Sequence, residues 1–301
     1  MPSELAPIAL FAYNRPDHLA RTLGALGRCP EARNSVITIF CDGPRSTGDE
    51  AAVRRVSGIA REWAASGFAR EVVIETSPTN KGLAASLISG ISSVLETSDS
   101  VIILEDDLLV SPNFLTFMNE ALRLYRNDSE VISIHGFTVE VDAPLPQSFF
   151  LRGADCWGWA TWRRGWEQFE SNGQTLLNQL DASGLMPEFD FNGTYPYRAM
   201  LEDQVKGRID SWAIRWYATA FLANKLTLYP GRSLVENIGL DGSGTHRGVH
   251  SALFNIPGEF DPPLIRIPVA ESPLARSAYE RAFARDTVRW KPLRSLISRL
   301  K

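Results

Sequence analysis

The chain has 301 residues, 44% of them hydrophobic and 22% charged, with a formal net charge of −4. That is the composition of a globular protein of one large domain or two small ones, and it excludes a disordered chain. The mild acidity excludes nucleic acid as the main partner, because phosphate binding needs a basic face.

Residues 8–13 are a short apolar run that reads as a buried strand. A helix follows at 16–26, with Leu19, Leu23 and Leu26 at helical spacing and Pro16 near its start, where a missing N–H costs nothing. Residues 35–41 read as a β-branched strand ending in the turn signal Asp42-Gly43-Pro44. A helix at 49–66, a strand at 71–76, a helix at 83–95 preceded by Asn80-Lys81-Gly82, and a strand at 100–104 ending in Glu105-Asp106-Asp107 complete the first half. Strand–helix alternation with apolar strands implies an α/β fold whose parallel sheet is covered on both faces. Ligands of such sheets bind at the carboxyl ends of the strands. Asn14-Arg15, Asp42-Gly43 and Glu105-Asp106-Asp107 all fall at those ends.

In the second half helices are expected at 112–125, 174–180, 195–206 and 212–224, and strands at 131–135 and 226–229. Trp157, Trp159, Trp162 and Trp166 crowd together. A glycine-rich loop spans 239–248, and a proline-rich stretch at 257–273 is expected to wrap the surface. There is no internal repeat.

Three adjacent carboxylates at a strand end repel one another, and a divalent cation makes them tolerable. Oxygen ligands suit magnesium or manganese, and such sites recruit substrate phosphates. The alternative is a solvated acidic turn. Ile-Leu-Glu-Asp-Asp-Leu followed by Val-Ser-Pro-Asn-Phe resembles the metal-binding segment of GT-A glycosyltransferases, especially the N-acetylglucosaminyltransferase I type and bacterial family 2-like transferases. The resemblance implies a GT-A (Rossmann-like) fold, a mixed, mostly parallel sheet flanked by helices with an acceptor-side subdomain. It implies Asp107 as the ligand of Mn2+ or Mg2+, with Glu105 and Asp106 on the donor. It further implies that Tyr13, Asn14 and Arg15 contact base and ribose, and that Asp42 accepts from a uracil imide; Asp42 as a plain turn residue is the other reading. Lys81 beside a helix start is either an anion ligand or a solvated surface lysine.

Trp157-Gly158-Trp159 is similar to the Gly-Trp segment after the metal motif in those enzymes. Aromatic rings there face a donor sugar, or else form buried core. An inverting transfer needs a general base. Asp210, in Arg-Ile-Asp-Ser-Trp-Ala-Ile-Arg-Trp, resembles the base-carrying Asp-Asp-Trp-Met-Arg segment, although Ser211 replaces the second acid. N-capping of the next helix is its alternative role. Asp203, in a Glu-Asp pair, is the second candidate base. Arg215 clamps a phosphate or pairs with an acid. Gly242 and Gly244 hinge a lid-like loop in which His246 either touches phosphate or metal or has no role.

The implied partners are a nucleotide-sugar donor, UDP-linked by resemblance alone, and a saccharide or lipid-linked saccharide acceptor. The expected organisation is a nucleotide-sugar half at 1–110, an acceptor and catalytic half at 111–265, and a basic tail at 266–301. From Arg276 onward eight Lys or Arg meet two acids, 8 − 2 = +6, with Leu293, Leu296, Ile297 and Leu300 at helical spacing. That tail either rests on anionic lipid as a peripheral contact or docks on the domain. No run reaches the ~18 apolar residues of a membrane span. The N-terminus lacks a signal-peptide pattern. Cys29, Cys41 and Cys156 form no Cys-x-x-Cys pair. A cytoplasmic location, with membrane association at the inner face as a variant, is expected. Two rival readings are a sugar-phosphate nucleotidyltransferase and a non-catalytic carbohydrate-binding protein on a transferase fold. The first lacks its expected glycine-rich phosphate loop, for no P-loop or Gly-x-Gly-x-x-Gly fingerprint occurs.

Overall fold

The computed structural model describes residues 5–142, 144–239, 258 and 260–297, with side chains through residue 285. β1 (Ile8–Ala12), β2 (Val36–Cys41), β3 (Glu71–Thr76) and β4 (Ser100–Glu105) alternate with α1 (Pro16–Leu26), α2 (Glu50–Ala64) and α3 (Leu83–Thr97). Then follow β5 (Leu108–Val110), α4 (Phe114–Leu124), β6 (Val131–His135), β7 (Ser148–Arg152), β8 (Trp159–Trp162) and α5 (Arg163–Trp166). Helices α6 (Gly173–Ser183), α7 (Met186–Phe189), α8 (Tyr197–Val205) and α9 (Trp212–Leu222) form a second helical group. Strands β9 (Leu226–Pro230) and β10 (Val235–Asn237) and helix α10 (Pro273–Ile297) complete the chain.

Eight strands form one sheet in the order β3-β2-β1-β4-β8-β6-β9-β7, and β10 pairs with β5 in a separate two-stranded ladder. Only β8 and β7 run against the others, so 8 − 2 = 6 strands share one direction. The fold is therefore mixed α/β, with a mostly parallel sheet flanked by helices. Both sequence halves contribute strands to that one sheet. The β7 and β8 strands were not foreseen; β8 inserts antiparallel between β4 and β6.

Side chains two apart share a face of a strand. On one face, Ile8 and Leu10 of β1 and Ile102 and Leu104 of β4 pack with Leu19 and Leu23 of α1, Val56 of α2 and Phe114 of α4. On the other, Ala9, Phe11, Val101 and Ile103 pack with Leu87 and Ile91 of α3 and with Trp212 and Trp216 of α9. The first turns of α10 dock through Ala275, Ala278, Tyr279 and Ala282, all buried. Arg276 pairs there with Glu280 (2.8 Å), and Arg281 and Arg285 with Asp142 (3.7 and 3.4 Å). The docked form of the tail thus holds over 273–285. No described helix is long and apolar enough to cross a membrane.

Candidate active site

β1 and β4 are parallel neighbours in register, Phe11 opposite Glu105, so the residues after each strand emerge side by side. Asp106 and Asp107 form the turn between β4 and β5. One Arg15 nitrogen lies 2.8 Å from Asp106 Oδ1 and the other 2.8 Å from Asp107 Oδ2. The guanidinium fork suits this two-carboxylate grip. The Tyr13 N–H donates to Asp106 Oδ2 (3.2 Å), and the Thr22 hydroxyl of α1 donates to the Asp106 carbonyl (2.8 Å). Desolvation pushes Asp106 up to about 6, opposed by the Arg15 charge. Strand alternation sends Glu105 to the α3 face. Desolvation pushes its carboxyl up to about 8, helped by the Asp107 and Asp106 charges and opposed by Arg15. Its neighbours therefore favour the protonated form near neutrality.

A segment distant in sequence closes one side. The Ile238 N–H donates to the Asp107 carbonyl (2.9 Å), extending the β10–β5 ladder. The Ile238 carbonyl meets His18 Nε2 at 3.3 Å. A Cβ on Gly239 would lie 2.1 Å from Asp107 Oδ2, so only glycine lets the backbone pass. The sequence reading treated Gly239 as the start of a loop; its contact with Asp107 was invisible there.

At the nucleotide end Asp42 is buried and fully used. Its Oδ1 accepts from the N–H groups of Gly43 and Lys81 (2.9 Å each), and its Oδ2 from Asn80 Nδ2 (2.9 Å) and the Gly82 N–H (3.0 Å). These four bonds fill a carboxylate's acceptor positions. They pin the approach to α3 and leave none for the imide expected of it. Asp42 is thus a brace for the site wall. Lys81 is exposed at this rim. Asp49, which sequence reasoning passed over, holds the other side: it accepts from the Tyr13 hydroxyl (2.9 Å), Asn14 Nδ2 (3.2 Å) and the Ser46 hydroxyl (3.2 Å). Arg15 and the Tyr13 N–H tie this loop to Asp106 and Asp107, and Asp49, 36 residues from Tyr13, steadies its Tyr13–Asn14 part.

The tryptophan segment divides. Trp157 is half-buried, edge-on to Phe137 with ring centres 4.9 Å apart. Gly158 lies against Val235 and Leu104. Trp159 is corrected from ligand contact to core: at 1% exposure it stacks on Trp212 (5.5 Å) and meets Trp216 (5.6 Å) and Trp166 (6.0 Å). The cause is strand alternation, which turns residue 159 toward α9. The Asp210 side chain is 71% exposed and pairs with Arg215 (3.3 Å). Arg215 also donates to the carbonyls of Ser211 and Ser171 (3.2 and 3.1 Å) and so braces the start of α9, whose N-cap is Ser211. Asp203 pairs with Arg208 (3.1 Å). No hydrogen bond or ion pair among the described residues ties Asp203 or Asp210 to the acidic turn. His246, Gly242 and Gly244 lie outside the described residues.

Asp106 and Asp107 fit a divalent cation in part. Their oxygens already converge on one positive group, and an all-oxygen donor set suits magnesium or manganese. Among the described residues no three His, Cys, Asp or Glu side chains gather as a full ligand set. Of the oxygens these two carboxylates present, Asp106 Oδ1 and Asp107 Oδ2 are held by Arg15 and Asp106 Oδ2 by the Tyr13 N–H.

No protein-family model matches the chain, and no curated protein matches it. It is similar in structure to S. aureus TarS 1-349, at 10% identity and a TM-score of 0.35, over 58% of this chain and 49% of that one. It thus spans about half the length of that structure. It is also similar to UDP-glucose pyrophosphorylase complexed with UDP-glucose, at 8% identity and a TM-score of 0.37, over 77% of this chain and 93% of the other. These values describe a loose likeness of chain path, and the functional reading rests on the site's own geometry.

Proposed function

We propose that this chain is a glycosyltransferase that moves a sugar from a nucleotide diphosphate donor to a hydroxyl of a saccharide or lipid-linked saccharide. One observation carries the reading. Two carboxylates and a guanidinium converge where parallel strands end, beside the Tyr13–Asn14 loop braced by Asp49. That is where an α/β sheet binds its ligand. Asp107 with Asp106 would hold Mn2+ or Mg2+, which when bound supplies positive charge against the leaving diphosphate. Arg15 would supply a second positive charge beside it. Tyr13 and Asn14 border the nucleoside side, and the half-buried Trp157 offers a ring to a sugar face. The UDP donor and inversion at the anomeric carbon follow the resemblance of the acidic segment.

The test is a panel of nucleotide sugars incubated with the protein, with manganese and with a chelator, scored for nucleoside diphosphate release. Release from one donor, lost in Asp107→Ala together with UDP binding, supports the reading. A protein that binds no UDP and cleaves no donor refutes it. Pyrophosphate release from a sugar phosphate and a nucleoside triphosphate replaces it with nucleotidyl transfer.

A further inference from the structure

Glycosyl transfer with inversion needs a carboxylate that faces the acceptor, and the structure turns both expected candidates to solvent with arginine partners. A different carboxylate stands beside the acidic turn. β8 runs antiparallel to β4, with Trp159 opposite Ile103. The residues just before β8 therefore lie alongside the end of β4. Segment 153–158 is fixed at both ends. The Gly153 N–H donates to the Lys225 carbonyl (3.0 Å) and its carbonyl accepts from Thr227 (2.7 Å), while the Gly158 carbonyl accepts from the Gly136 N–H (2.7 Å). Both glycines have positive φ, +99° and +63°, which lets the chain bend sharply at each end and push residues 155–157 outward. The Trp157 N–H donates to Nε2 of the buried His135 (3.0 Å), which orients the middle of the segment.

Asp155 sits in that middle, half-buried. It accepts from the Cys156 N–H (2.9 Å) and from the Cys156 thiol, and no described cation pairs with it. The register of β8 on β4 sets this segment beside the end of β4, in keeping with the Cys156 thiol, which burial raises and the charges of Asp155, Glu105 and Asp107 raise further. The phenols of Tyr197 and Tyr229 border the same segment: Tyr229 lies against His135 (ring centres 5.0 Å), which accepts the Trp157 N–H, and Tyr197 stacks on Tyr217 (4.0 Å), against which Gly153 is seated. Burial raises both phenols and the Asp155 charge adds to it. Neither of those hydroxyls has a hydrogen-bond partner among the described residues. A carboxylate with no cationic partner among the described residues and two phenols in an aromatic surround are complementary to a polyhydroxyl ligand with apolar C–H faces.

We propose that Asp155 is the general base of this site and that Tyr197 and Tyr229 hold neighbouring hydroxyls of a saccharide acceptor; the proposal rests on the glycosyltransferase reading. The acceptor oxygen forms a bond to the anomeric carbon, and its proton passes to a carboxylate oxygen of Asp155. The bond from that carbon to the diphosphate oxygen breaks, and its electron pair leaves with the nucleoside diphosphate. No other reactant is needed.

The experiment uses the full chain and the donor that the panel selects. Asp155→Asn keeps size and shape. It is expected to lower kcat by about 10²-fold or more, the usual contribution of a positioned base, with UDP affinity and the thermal transition unchanged. Asp155→Glu, which keeps the carboxylate, is expected to recover part of the rate and the acid limb of the pH–rate profile that Asn abolishes. Tyr229→Phe is expected to raise the acceptor KM with little change in kcat. Asp155→Asn at the parent rate, or with a lowered melting temperature and lost UDP binding, overturns the assignment. Loss of transfer in Asp210→Asn with Asp155→Asn active moves the base to Asp210 and leaves the parent reading standing. A parent protein that cleaves no donor sinks the parent reading instead.

Discussion

Replacing Arg15 by methionine removes the guanidinium and keeps much of the side chain's bulk. Asp106, 3% exposed, and Asp107, 11% exposed, then face each other without a counter-charge. Stranding a buried charge by removing its partner costs about 3–5 kcal/mol. At about 2–4 °C per kcal/mol for a chain of this order, the melting temperature falls by roughly 10 °C. The deficit depends on pH. Asp106 is raised in the folded state, to about 6 from a usual 3.8. A group raised in this way favours folding below its unfolded value, and that contribution is lost as pH rises through the folded value. Without Arg15 the carboxyl rises further, so the gap between Arg15→Met and the parent is widest above neutrality and narrows as pH falls toward about 5. A divalent cation at about 100 times its Kd returns about 2.7 kcal/mol to whichever protein binds it. Manganese is therefore expected to raise the melting temperature of Arg15→Met more than that of the parent. Calorimetric scans of both proteins across pH, with and without manganese, check this. A variant that melts with the parent at every pH refutes the counter-ion role of Arg15.

Gly239→Ala places a Cβ against Asp107 Oδ2 and 2.9 Å from Arg15 Nη1; the overpacking costs about 1–3 kcal/mol, and UDP titration is expected to show weakened binding. Asp42→Ala strands four donors at the approach to α3; it is expected to lose about 3 kcal/mol, with increased proteolysis at residues 77–82 as the sign that the brace has failed. Trp159→Ala removes the ring that α9 packs upon and is expected to cost about 3–5 kcal/mol in denaturant unfolding, far more than a surface tryptophan; a small loss would contradict its place in the core. Burial holds His135 below its usual 6.5. The folded state thus prefers neutral imidazole, and the stability this brings is complete above about pH 6.5 and is lost as pH falls through 6.5 toward the lowered value. The stability difference between the parent and His135→Gln should shift by at most about 1.4 kcal/mol per pH unit in that window, and a difference constant with pH would show that the imidazole titrates alike in the folded and unfolded states and refute the effect of its burial.

The first half of the fold was legible because its signals are local. β1, β2 and β4 are short apolar runs, β3 is marked by its β-branched Val72, Val73 and Ile74, and α1 declares itself by Leu19, Leu23 and Leu26. The acidic turn, too, is contiguous in sequence. The rest depends on which distant segment lies alongside. The strand Trp159–Trp162 reads as an aromatic sugar platform until its pairing with β4 and β6 turns Trp159 toward α9. Asp42 looks like a base-recognising acid until the backbone of residues 80–82 arrives at its oxygens. The grip of Arg15 on Asp106, 91 residues away, is likewise announced by no local pattern. Asp49, Gly239 and Asp155 carry no motif, and only their neighbours mark them out.

On the proposed reading, the acids that would recruit a cation for the diphosphate are buried charges that the fold itself must neutralise. Ionised Asp106 is buried, and Arg15 offsets that burden by lying against both carboxylates. Any cation seeking the same oxygens competes with Arg15, so its apparent affinity is lowered by the stability of that contact. A diphosphate changes the balance, because it offers the displaced guanidinium a new anionic partner and the cation further oxygens. Cation and nucleotide should then bind with positive coupling, each strengthening the other by the same factor. Gly239 sits 2.9 Å, by its Cβ position, from the Arg15 nitrogen that would have to move. The backbone at residue 239 thus borders the path of that exchange, and the coupling measured between manganese and UDP should fall in Gly239→Ala even where each binds alone.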